Sequence, residues 1–468
     1  MGDSIFWYDL ETTGTDTVLD RPLQFAGVRT DLSLREIGEP VNIFCRPARD
    51  VLPQPQALLV TGILISEVLA KGLNEKDFSD RVLAEFEVPQ TCGTGFNSIR
   101  FDDEFVRQML YRNFRDPYAR EWRNGNSRWD VIDLFRAAYA LRPKGFVWPE
   151  REPGIPSFKL EDLAQANGVE HSNAHDAFAD VRATIEITKL LRQAQPKLYE
   201  FAWRLRWKKA VLQQLHPLGK QPVVHVSPIY SVAHGCAAVV LPLCQHPVNK
   251  NAVICYDLSE PPEQLMAADA KSLSRLVFSA RDELLDGEER VALNSVHVNR
   301  SPIVAPLSTL GESEANRLDI DLSRCQRHLE FLRREDGVVD KIREAFTYKD
   351  VEEIEDPDFR LYSGGFFADG DRRTIDEVAV AEPPTLSEFS GRFLDERLNE
   401  MLFRYRARNW PHLLTKSEVG RWEKYCEARW QMDGRAVSIE TEMSELMRTE
   451  KGDRLAVLQD FQNYLHPL

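Results

Sequence analysis

The first hundred residues contain short apolar runs, followed by apolar side chains at helical spacing. Three runs that predict strands lie at residues 5–8, 24–28 and 41–44. Farther along, apolar side chains recur every three or four positions, as in Phe78, Val82 and Phe86, which predicts helices. Another short run at 91–96 predicts a strand that ends in a loop. Strands that first follow one another and then alternate with helices indicate an α/β domain with a mixed sheet.

The pattern changes twice in the rest of the chain. Short β-type runs occur among turns at 223–226, 237–241 and 252–256, with helical patterns mixed in, which predicts a smaller β-rich domain. An acidic and then glycine-rich connector follows at 352–370. Beyond residue 387 a helical domain is predicted by the spacing i, i+3, i+4, i+7 of Leu398, Met401, Leu402 and Tyr405.

Composition limits the class of protein. The chain has 468 residues, more than one core can hold, and its 43% hydrophobic and 28% charged residues are ordinary for a globular protein. No apolar run of about 18 residues and no signal peptide are visible, so we expect no membrane span. The seven cysteines are scattered and form no CxxC pair, so we expect no disulfides, no zinc site and a cytoplasmic location.

Charge is unevenly distributed along the chain. The net charge of −15 argues against a general binder of polyanions, yet residues 107–144 contain nine basic and four acidic side chains, a local charge of +5. Within this segment, residues 111–123 interleave aromatic rings with arginines, as in grooves that bind single-stranded nucleic acid. An amphipathic helix with buried rings and solvated arginines has the same composition. Both interpretations stay open at this point.

Two carboxylates follow the first apolar run. Asp9 and Glu11 are two positions apart, so on a strand they point to the same side. Unpaired, they would repel each other, and a divalent cation such as Mg²⁺ or Mn²⁺ would remove that repulsion. The alternative is a solvated strand end with two surface acids. Further acids at the same place would decide between the two.

Two other segments offer such groups. Asp102 and Asp103 lie at the predicted start of a helix, where one acid is enough for a cap and the other is free for another role. His175 precedes a later helix, with Asp180 further along it. Five helical residues turn through about 500°, so both reach one centre only if His175 lies near or before the helix start. Each residue taken alone also has an ordinary explanation as a cap or a packed side chain.

Together these segments resemble the three motifs of the DEDDh exonucleases, a group of the ribonuclease-H-like superfamily. The motifs are Asp9-x-Glu11, Asn97-x-x-x-Phe101-Asp102 and His175-x-x-x-x-Asp180, in the order and separation of that group. The chain is also similar to the bacterial exonuclease I family, which degrades single-stranded DNA. The segments that carry this likeness lie at 19–22, 52–55, 111–114, 126–130, 170–176, 249–254 and 403–409. The resemblance therefore covers essentially the full chain.

The resemblance implies a fold and a reaction. The implied domains are a ribonuclease-H-like exonuclease domain with a mixed α/β sheet (1–192), an SH3-like β-barrel domain (196–349) and a helical C-terminal domain (352–468). The implied reaction is hydrolysis of the terminal phosphodiester at the 3′ end of single-stranded DNA, which releases nucleoside 5′-monophosphates in DNA repair and recombination. The family expectation is a monomer.

The resemblance also implies roles in catalysis. The expected ligands of two Mg²⁺ ions, or of Mn²⁺ in their place, are Asp9, Glu11, Asp102 and Asp180, with Glu11 also touching the substrate. His175 is expected to take a proton from the attacking water, because an imidazole pKa of about 6.5 suits a general base. Asp103 and Asp176, which neighbour the motif acids, are assigned only capping or supporting work.

Contacts to DNA and to a partner protein are implied by position. The matching substrate-binding positions are Arg107, Tyr118, Trp122, Arg136, Lys159, Lys208, Asn251 and Asn299. Lys159 stands where the family usually has arginine, so the charge is kept and the bidentate fork is lost. The family also binds the acidic, phenylalanine-ended tail of the single-stranded-DNA-binding protein. Arg142 matches a basic residue of that docking site, and Lys220 lies near another.

Two other functions compete with this one. An RNA-trimming DEDDh exoribonuclease would carry the same motifs, but such enzymes are generally short chains without the long segment that follows residue 192 here. A non-catalytic adaptor that binds single-stranded DNA would be expected to lack a motif acid. All four acids and the histidine are present.

Overall fold

The computed structural model describes residues 2–171, 176–285, 287–335, 337–348 and 354–466. Its strands are β1 (Ser4–Thr12), β2 (Pro22–Thr30), β3 (Val41–Phe44), β4 (Thr91–Gly95), β5 (Ser127–Asp130), β6 (Glu150–Glu152), β7 (Ile155–Pro156), β8 (Val223–Val226), β9 (Ala237–Gln245), β10 (Ala252–Asp257), β11 (Leu293–His297) and β12 (Ile303–Pro306). The strands predicted in the first hundred residues correspond to β1–β4 and are confirmed.

The α-helices of the described residues continue the pattern. They are α1 (Pro55–Thr61), α2 (Ile65–Lys71), α3 (Glu75–Glu87), α4 (Asp102–Arg112), α5 (Val131–Leu141), α6 (Leu160–Ala166), α7 (Ala177–Ala194), α8 (Pro196–Arg204), α9 (Lys208–Leu215), α10 (Glu263–Ala267), α11 (Ala270–Phe278), α12 (Glu312–Arg317), α13 (Leu322–Arg334), α14 (Val338–Ala345), α15 (Asp369–Val380), α16 (Glu396–Asn409), α17 (Lys416–Gln431), α18 (Arg435–Thr449) and α19 (Asp453–Leu465). The prediction that the chain is helical beyond residue 387 is confirmed.

By its contacts the chain divides into two compact units. The first combines Met1–Ser127, His171–Ile185 and Glu353–Leu468, and the second combines Arg128–Glu170 and Glu186–Glu352. The first unit thus contains β1–β4 together with the C-terminal helices α15–α19. The domain limits at residues 192 and 349 were implied by the family resemblance. A division by contacts does not test them, so they stay predictions.

The sheet of the first unit places β1 between β2 and β4. β1 is antiparallel to β2 and parallel to β4, and β3 is antiparallel to β2, so the sheet is mixed, as predicted. Phe6, Tyr8 and Leu10 occupy every second position of β1 and pack with α3 and α4 in one hydrophobic core. Alternation along the strand therefore gives Asp9 and Glu11 the opposite face of β1.

The C-terminal helices belong to the same folded unit because they share its apolar cores. Tyr111 and Phe114, at the end of α4, pack with Met401 and Tyr405 of α16. A second cluster joins α1 and α2 with α18 and α19. Segments from both ends of the chain are therefore folded together.

A buried ion cluster reinforces this junction. Arg408 of α16 donates to Asp50 at 2.9 Å and also pairs with Asp358, and all three side chains are at most 1% exposed. Burial alone would raise the pKa of Asp358, but the charges of Arg408 and Arg404 outweigh it and hold that pKa well below its ordinary value. These acids therefore stay ionised inside the protein.

The second unit contains a five-stranded antiparallel sheet. Its strand order is β11-β10-β9-β8-β12, and β8, β9 and β10 are almost entirely buried. The helix α5 contacts β8, and α9 contacts β12. The predicted fold class is confirmed: a mixed-sheet α/β domain, a small β domain and a helical C-terminal segment. All seven cysteines are free, as their scattered spacing predicts, and all are buried. Among the described helices, none is long and apolar enough to cross a membrane.

Candidate active site

Three acids from β1 and α7 converge in the first unit. Asp9 and Glu11 lie on β1, and Asp180 lies in the first turn of α7. One carboxylate oxygen of each lies within 4.8 Å of the corresponding oxygens of the other two. Glu11 is buried, whereas Asp9 and Asp180 are half-buried, so the group borders the solvent. The structure thus brings together three of the four acids that the sequence motifs single out.

The fourth acid is held against the same strand. Asp102 is 2% exposed in the first turn of α4, and its Oδ1 accepts a hydrogen bond of 3.0 Å from the backbone N–H of Leu10. Leu10 is the residue between the two acids of β1. Because the bond is made to the backbone of β1, it fixes the Asp102 carboxylate beside the strand that carries the other two acids.

Burial and mutual repulsion raise the pKa values of these acids. Burial is the largest cause of the high pKa of Asp9, followed by the negative charges of Asp102 and Glu11. Burial and the charges of Asp180 and Asp102 raise the pKa of Glu11 to about 9. A bound divalent cation offsets both causes, and a donor set made only of carboxylate oxygens fits Mg²⁺ or Mn²⁺. The residues present therefore suit the metal that the motifs imply.

The two acids that neighbour the motifs have supporting roles. Asp103 is 1% exposed, accepts a hydrogen bond of 2.5 Å from the Tyr8 hydroxyl and pairs with Arg120 at 2.5 Å. Asp176 accepts hydrogen bonds from the backbone at the start of α7, at 3.0 and 3.1 Å. Asp176 is a helix cap, as expected. Asp103 instead anchors α4 to β1 and to the loop that contains Arg120.

Histidines mark the segment that precedes α7. His175, the expected general base, lies outside the described residues. His171 is described, and its Nε2 lies 2.6 Å from Oδ1 of Asp180. The sequence motifs did not single out His171. The only signal for it was its position in the 170–176 segment that resembles the exonuclease I family.

The arginine-rich segment 111–123 divides between the two interpretations that the sequence left open. Arg112 pairs with Glu75 at 2.7 Å and Arg120 with Asp103, and both arginines are 1% exposed at the side chain. For these residues the nucleic-acid groove was the wrong interpretation, because their charges are used inside the protein. Trp122, in contrast, is 63% exposed.

Two predicted substrate residues of the first unit, Arg107 and Tyr118, are in contact. Arg107 makes two hydrogen bonds to Glu121, at 2.7 and 2.9 Å, and its guanidinium carbon lies 5.4 Å from the centre of the Tyr118 ring. Arg107 itself is only 4% exposed. Its ionic partners therefore fix it in place, and it supports the half-buried Tyr118 ring.

Tyr362 joins this group from the C-terminal segment. Its hydroxyl accepts a hydrogen bond of 3.2 Å from Arg107 and donates to Glu104, and its ring centre lies 6.5 Å from that of Tyr118. Tyr362 is 58% exposed. Sequence reasoning missed it, because nothing in a single chain links positions 107 and 362. We call Arg107, Tyr118, Trp122 and Tyr362 the aromatic surface.

The remaining predicted substrate residues belong to the second unit. Lys208, at the start of α9, donates a hydrogen bond of 2.6 Å to the side-chain oxygen of Asn251, so two of the predicted residues are in direct contact. Asn299 is exposed, and its carbonyl accepts from Arg128 at 3.2 Å. The other two each contact a nearby acid: Arg136 with Asp133 at 2.7 Å, and Lys159 with Glu161 at 3.4 Å.

The two predicted partner-binding residues are also in the second unit, but they differ in surroundings. Arg142 lines a cleft of about 360 Å³ whose other walls include Lys197 and the apolar side chains of Leu198 and Phe201. Lys220 is exposed, does not line this cleft and contributes its carbonyl to a hydrogen bond from Arg333.

Comparisons with known proteins agree with these observations. Three family models match consecutive parts of the chain: Exonuclease at residues 6–188, Exonuclease I SH3-like domain at 206–348 and Exonuclease I C-terminal domain at 355–468. Exodeoxyribonuclease I of Escherichia coli K12 is 43% identical over 425 residues, which are 90% of this chain and 88% of that protein.

Two further matches span almost the whole of both chains. Exodeoxyribonuclease I of Haemophilus influenzae is 40% identical over 465 residues, 98% of each protein. A crystal structure of the zinc-bound complex of the Escherichia coli enzyme with single-stranded DNA superimposes with a TM-score of 0.93, at 40% identity and with 99% of each chain covered.

Proposed function

The chain belongs to the exonuclease I family, and from that premise we propose that it removes nucleotides from the 3′ end of single-stranded DNA. The products are nucleoside 5′-monophosphates, and the expected role is in DNA repair and recombination. The observation that carries the proposal is the convergence of Asp9, Glu11 and Asp180, with Asp102 bonded to the backbone between the first two.

The proposed metal ligands are the four acids, and the proposed metal is Mg²⁺, with Mn²⁺ able to replace it. Two ions held by these acids would supply an activated water and would stabilise the leaving oxygen of the phosphodiester. Asp9 is proposed to serve both ions, because its carboxylate lies near those of Glu11 and Asp180 and also feels the charge of Asp102. Glu11 is the most buried of the three clustered acids. From the family resemblance, it is also proposed to touch the terminal nucleotide.

His175 is proposed as the group that takes the proton from the attacking water. Asp176, its neighbour, caps α7, and Asp180 follows in the first turn of the same helix. An imidazole with a pKa near neutrality accepts and releases a proton readily at physiological pH.

Two surfaces are proposed to hold the strand. On the aromatic surface of the first unit, bases stack on exposed rings, above all Trp122 and Tyr362. In the second unit, Lys208 neutralises a phosphate, and Asn251 and Asn299 offer hydrogen bonds to the backbone or bases. Arg136 and Lys159 are proposed as further cationic contacts. Among the residues that the structure describes, each pairs with one acid, which leaves further donors available.

A partner is proposed for the cleft that Arg142 lines. The acidic, phenylalanine-ended tail of the single-stranded-DNA-binding protein suits it, because Arg142 and Lys197 offer positive charge beside the apolar Leu198 and Phe201. Fluorescence anisotropy with the labelled tail peptide tests this. Arg142→Glu should abolish binding, and the matched exposed change Lys220→Glu should weaken it less. Equal affinity of Arg142→Glu and the unmodified protein would refute the assignment.

Location and assembly complete the proposal. We expect a cytoplasmic location, in keeping with the seven free thiols, and a monomer.

An RNA-trimming exonuclease and a non-catalytic adaptor are the competing functions.

One comparison of substrates separates the three functions. Labelled single-stranded DNA, duplex DNA and RNA of one sequence are incubated with the protein and Mg²⁺. Shortening of single-stranded DNA far faster than of the other two supports the proposal. Faster shortening of RNA would favour the exoribonuclease, and binding without shortening would favour the adaptor.

A further inference from the structure

We infer that His171 is a positioning residue that holds the Asp180 carboxylate in the orientation needed to bind a divalent cation. The inference rests on the proposed metal centre and adds a residue to it. The relevant observation is the contact of 2.6 Å between His171 Nε2 and Asp180 Oδ1, made across nine residues of the chain.

The contact is short, and the histidine is the more buried of the two partners. The His171 side chain is 6% exposed and that of Asp180 is 16% exposed. A carboxylate accepts hydrogen bonds and does not donate them, so His171 donates from Nε2. Its Nδ1 is buried and has no hydrogen-bond partner among the residues that the structure describes. Among the described residues, the His171 ring therefore makes its hydrogen bond to Asp180.

Repulsion within the acid group explains why such a donor is needed. The Asp180 carboxylate lies within 4.8 Å of oxygens of Asp9 and Glu11, and their like charges favour its rotation away from them. A hydrogen bond from His171 to one oxygen fixes the plane of the carboxylate. The second oxygen then keeps a defined direction. Donors of this kind are known to orient metal-binding carboxylates and to tune their affinity.

This role differs from the one proposed for His175. A general base acts on the attacking water, so its removal lowers the rate of the chemical step and leaves metal affinity unchanged. A positioning residue acts on the ligand, so its removal weakens metal binding even in the absence of DNA. Metal affinity measured without substrate therefore distinguishes the two histidines.

The test is a calorimetric titration of the full chain with MnCl₂, without DNA. His171→Ala should weaken Mn²⁺ binding roughly 10- to 100-fold. His171→Gln should bind Mn²⁺ more tightly than His171→Ala, because its amide N–H can reach the same oxygen. His328→Gln is the matched control: His328 also makes one ring hydrogen bond, to the carbonyl of Leu258 at 2.8 Å, and this change should leave Mn²⁺ affinity as it is.

Two results would overturn the inference. One is a His171→Ala protein that binds Mn²⁺ as tightly as the unmodified protein. The other is an equal loss in His171→Gln and His171→Ala, which would mean that ring packing rather than the hydrogen bond matters. Should His171→Ala fail to fold, His171→Asn, whose amide is too short for the contact, takes its place.

Failure of the proposed function would look different. The unmodified protein would then leave single-stranded DNA intact in Mg²⁺, whatever the His171 variants do. If the unmodified protein degrades the strand, Asp9→Asn does not, and His171→Ala binds Mn²⁺ normally, only the role of His171 is refuted.

Discussion

The backbone N–H of Leu10 donates a hydrogen bond of 3.0 Å to Oδ1 of Asp102. One oxygen of Asp102 thus completes a backbone contact, while its charge adds to the repulsion felt by Asp9. The same side chain therefore has a structural task and an electrostatic one. The two can be separated by substitution.

Asp102→Asn should leave stability nearly unchanged and remove most activity. The amide oxygen still accepts from Leu10, so the free energy of unfolding should change by less than about 1 kcal/mol. Loss of the charge should lower the exonuclease rate by about two orders of magnitude or more. Urea denaturation and a strand-shortening assay measure both. An Asp102→Asn protein that works at the unmodified rate would exclude Asp102 from the metal centre.

The neighbouring acid provides the contrasting case. Asp103→Asn leaves the buried Arg120 without its ionic partner, so it should lower the free energy of unfolding by about 3–5 kcal/mol. If Asp103→Asn were as stable as Asp102→Asn, the distinction between the two acids would be wrong.

The metal-free protein should lose stability as the pH rises. Burial and the charges of Asp180 and Asp102 raise the pKa of Glu11 from 4.5 to about 9, so the folded state binds this proton more tightly than the unfolded chain does. The stabilisation is complete below the unfolded pKa and is lost as the pH rises toward the folded one. In EDTA, the free energy of unfolding should therefore decrease as the pH is raised from 4.5 to about 9.

Two changes should reduce this pH dependence. Glu11→Gln abolishes one titrating group and lessens the repulsion on Asp9, so it should flatten the slope in EDTA. Saturating Mg²⁺ should restore stability most strongly at the alkaline end. Urea denaturation at a series of pH values measures both effects. A slope that is the same in Glu11→Gln as in the unmodified protein would show that Glu11 is not the source of the pH dependence.

Trp122→Ala should weaken binding of the strand without affecting folding. The indole is 63% exposed, so its loss opens no cavity. Stacking of a base on an aromatic ring is worth about 1–3 kcal/mol, so the dissociation constant should rise roughly 5- to 150-fold. Trp122→Phe should retain part of the affinity, and Phe331→Ala, which removes another exposed ring, should retain all of it. Unchanged affinity of Trp122→Ala would remove Trp122 from the aromatic surface.

Arg408 tests the buried junction between the two ends of the chain. Arg408→Met leaves the buried carboxylates of Asp50 and Asp358 without their main partner and should cost about 3–5 kcal/mol of unfolding free energy. Arg421→Met is the matched control, because the Arg421 side chain is 56% exposed in its pair with Glu400, and it should cost about 0–1 kcal/mol. Equal costs in urea denaturation would contradict the importance of burial.

The sequence was a good guide where local pattern determines structure. Period-two alternation placed Asp9 and Glu11 on one side of a strand, and a helix-start signal placed Asp102 at the beginning of a helix. Asp180 was predicted further along its helix, whereas α7 begins at Ala177 and places Asp180 in the first turn. The mixed sheet followed from the order of strand and helix signals. In each case the information lies within a few neighbouring residues.

The sequence was a poor guide where distant segments meet. The arginines of 111–123 resemble a nucleic-acid groove because the acid that pairs with Arg112, Glu75, lies on a different helix. Tyr362 reaches Arg107 for the same reason, through packing that no local pattern encodes. His171 was marked only by the family resemblance of its segment, and its contact with Asp180 joins positions nine residues apart.

The central claim is that the acids of β1, α4 and α7 hold the metal that cleaves the 3′ end. The most direct measurement is a time course on 5′-labelled single-stranded DNA, with product analysis, for the unmodified protein and Asp9→Asn. With Mg²⁺ the unmodified protein should shorten the strand from its 3′ end and release nucleoside 5′-monophosphates, whereas EDTA or Asp9→Asn should leave the strand intact. Shortening by Asp9→Asn at the unmodified rate would contradict the account.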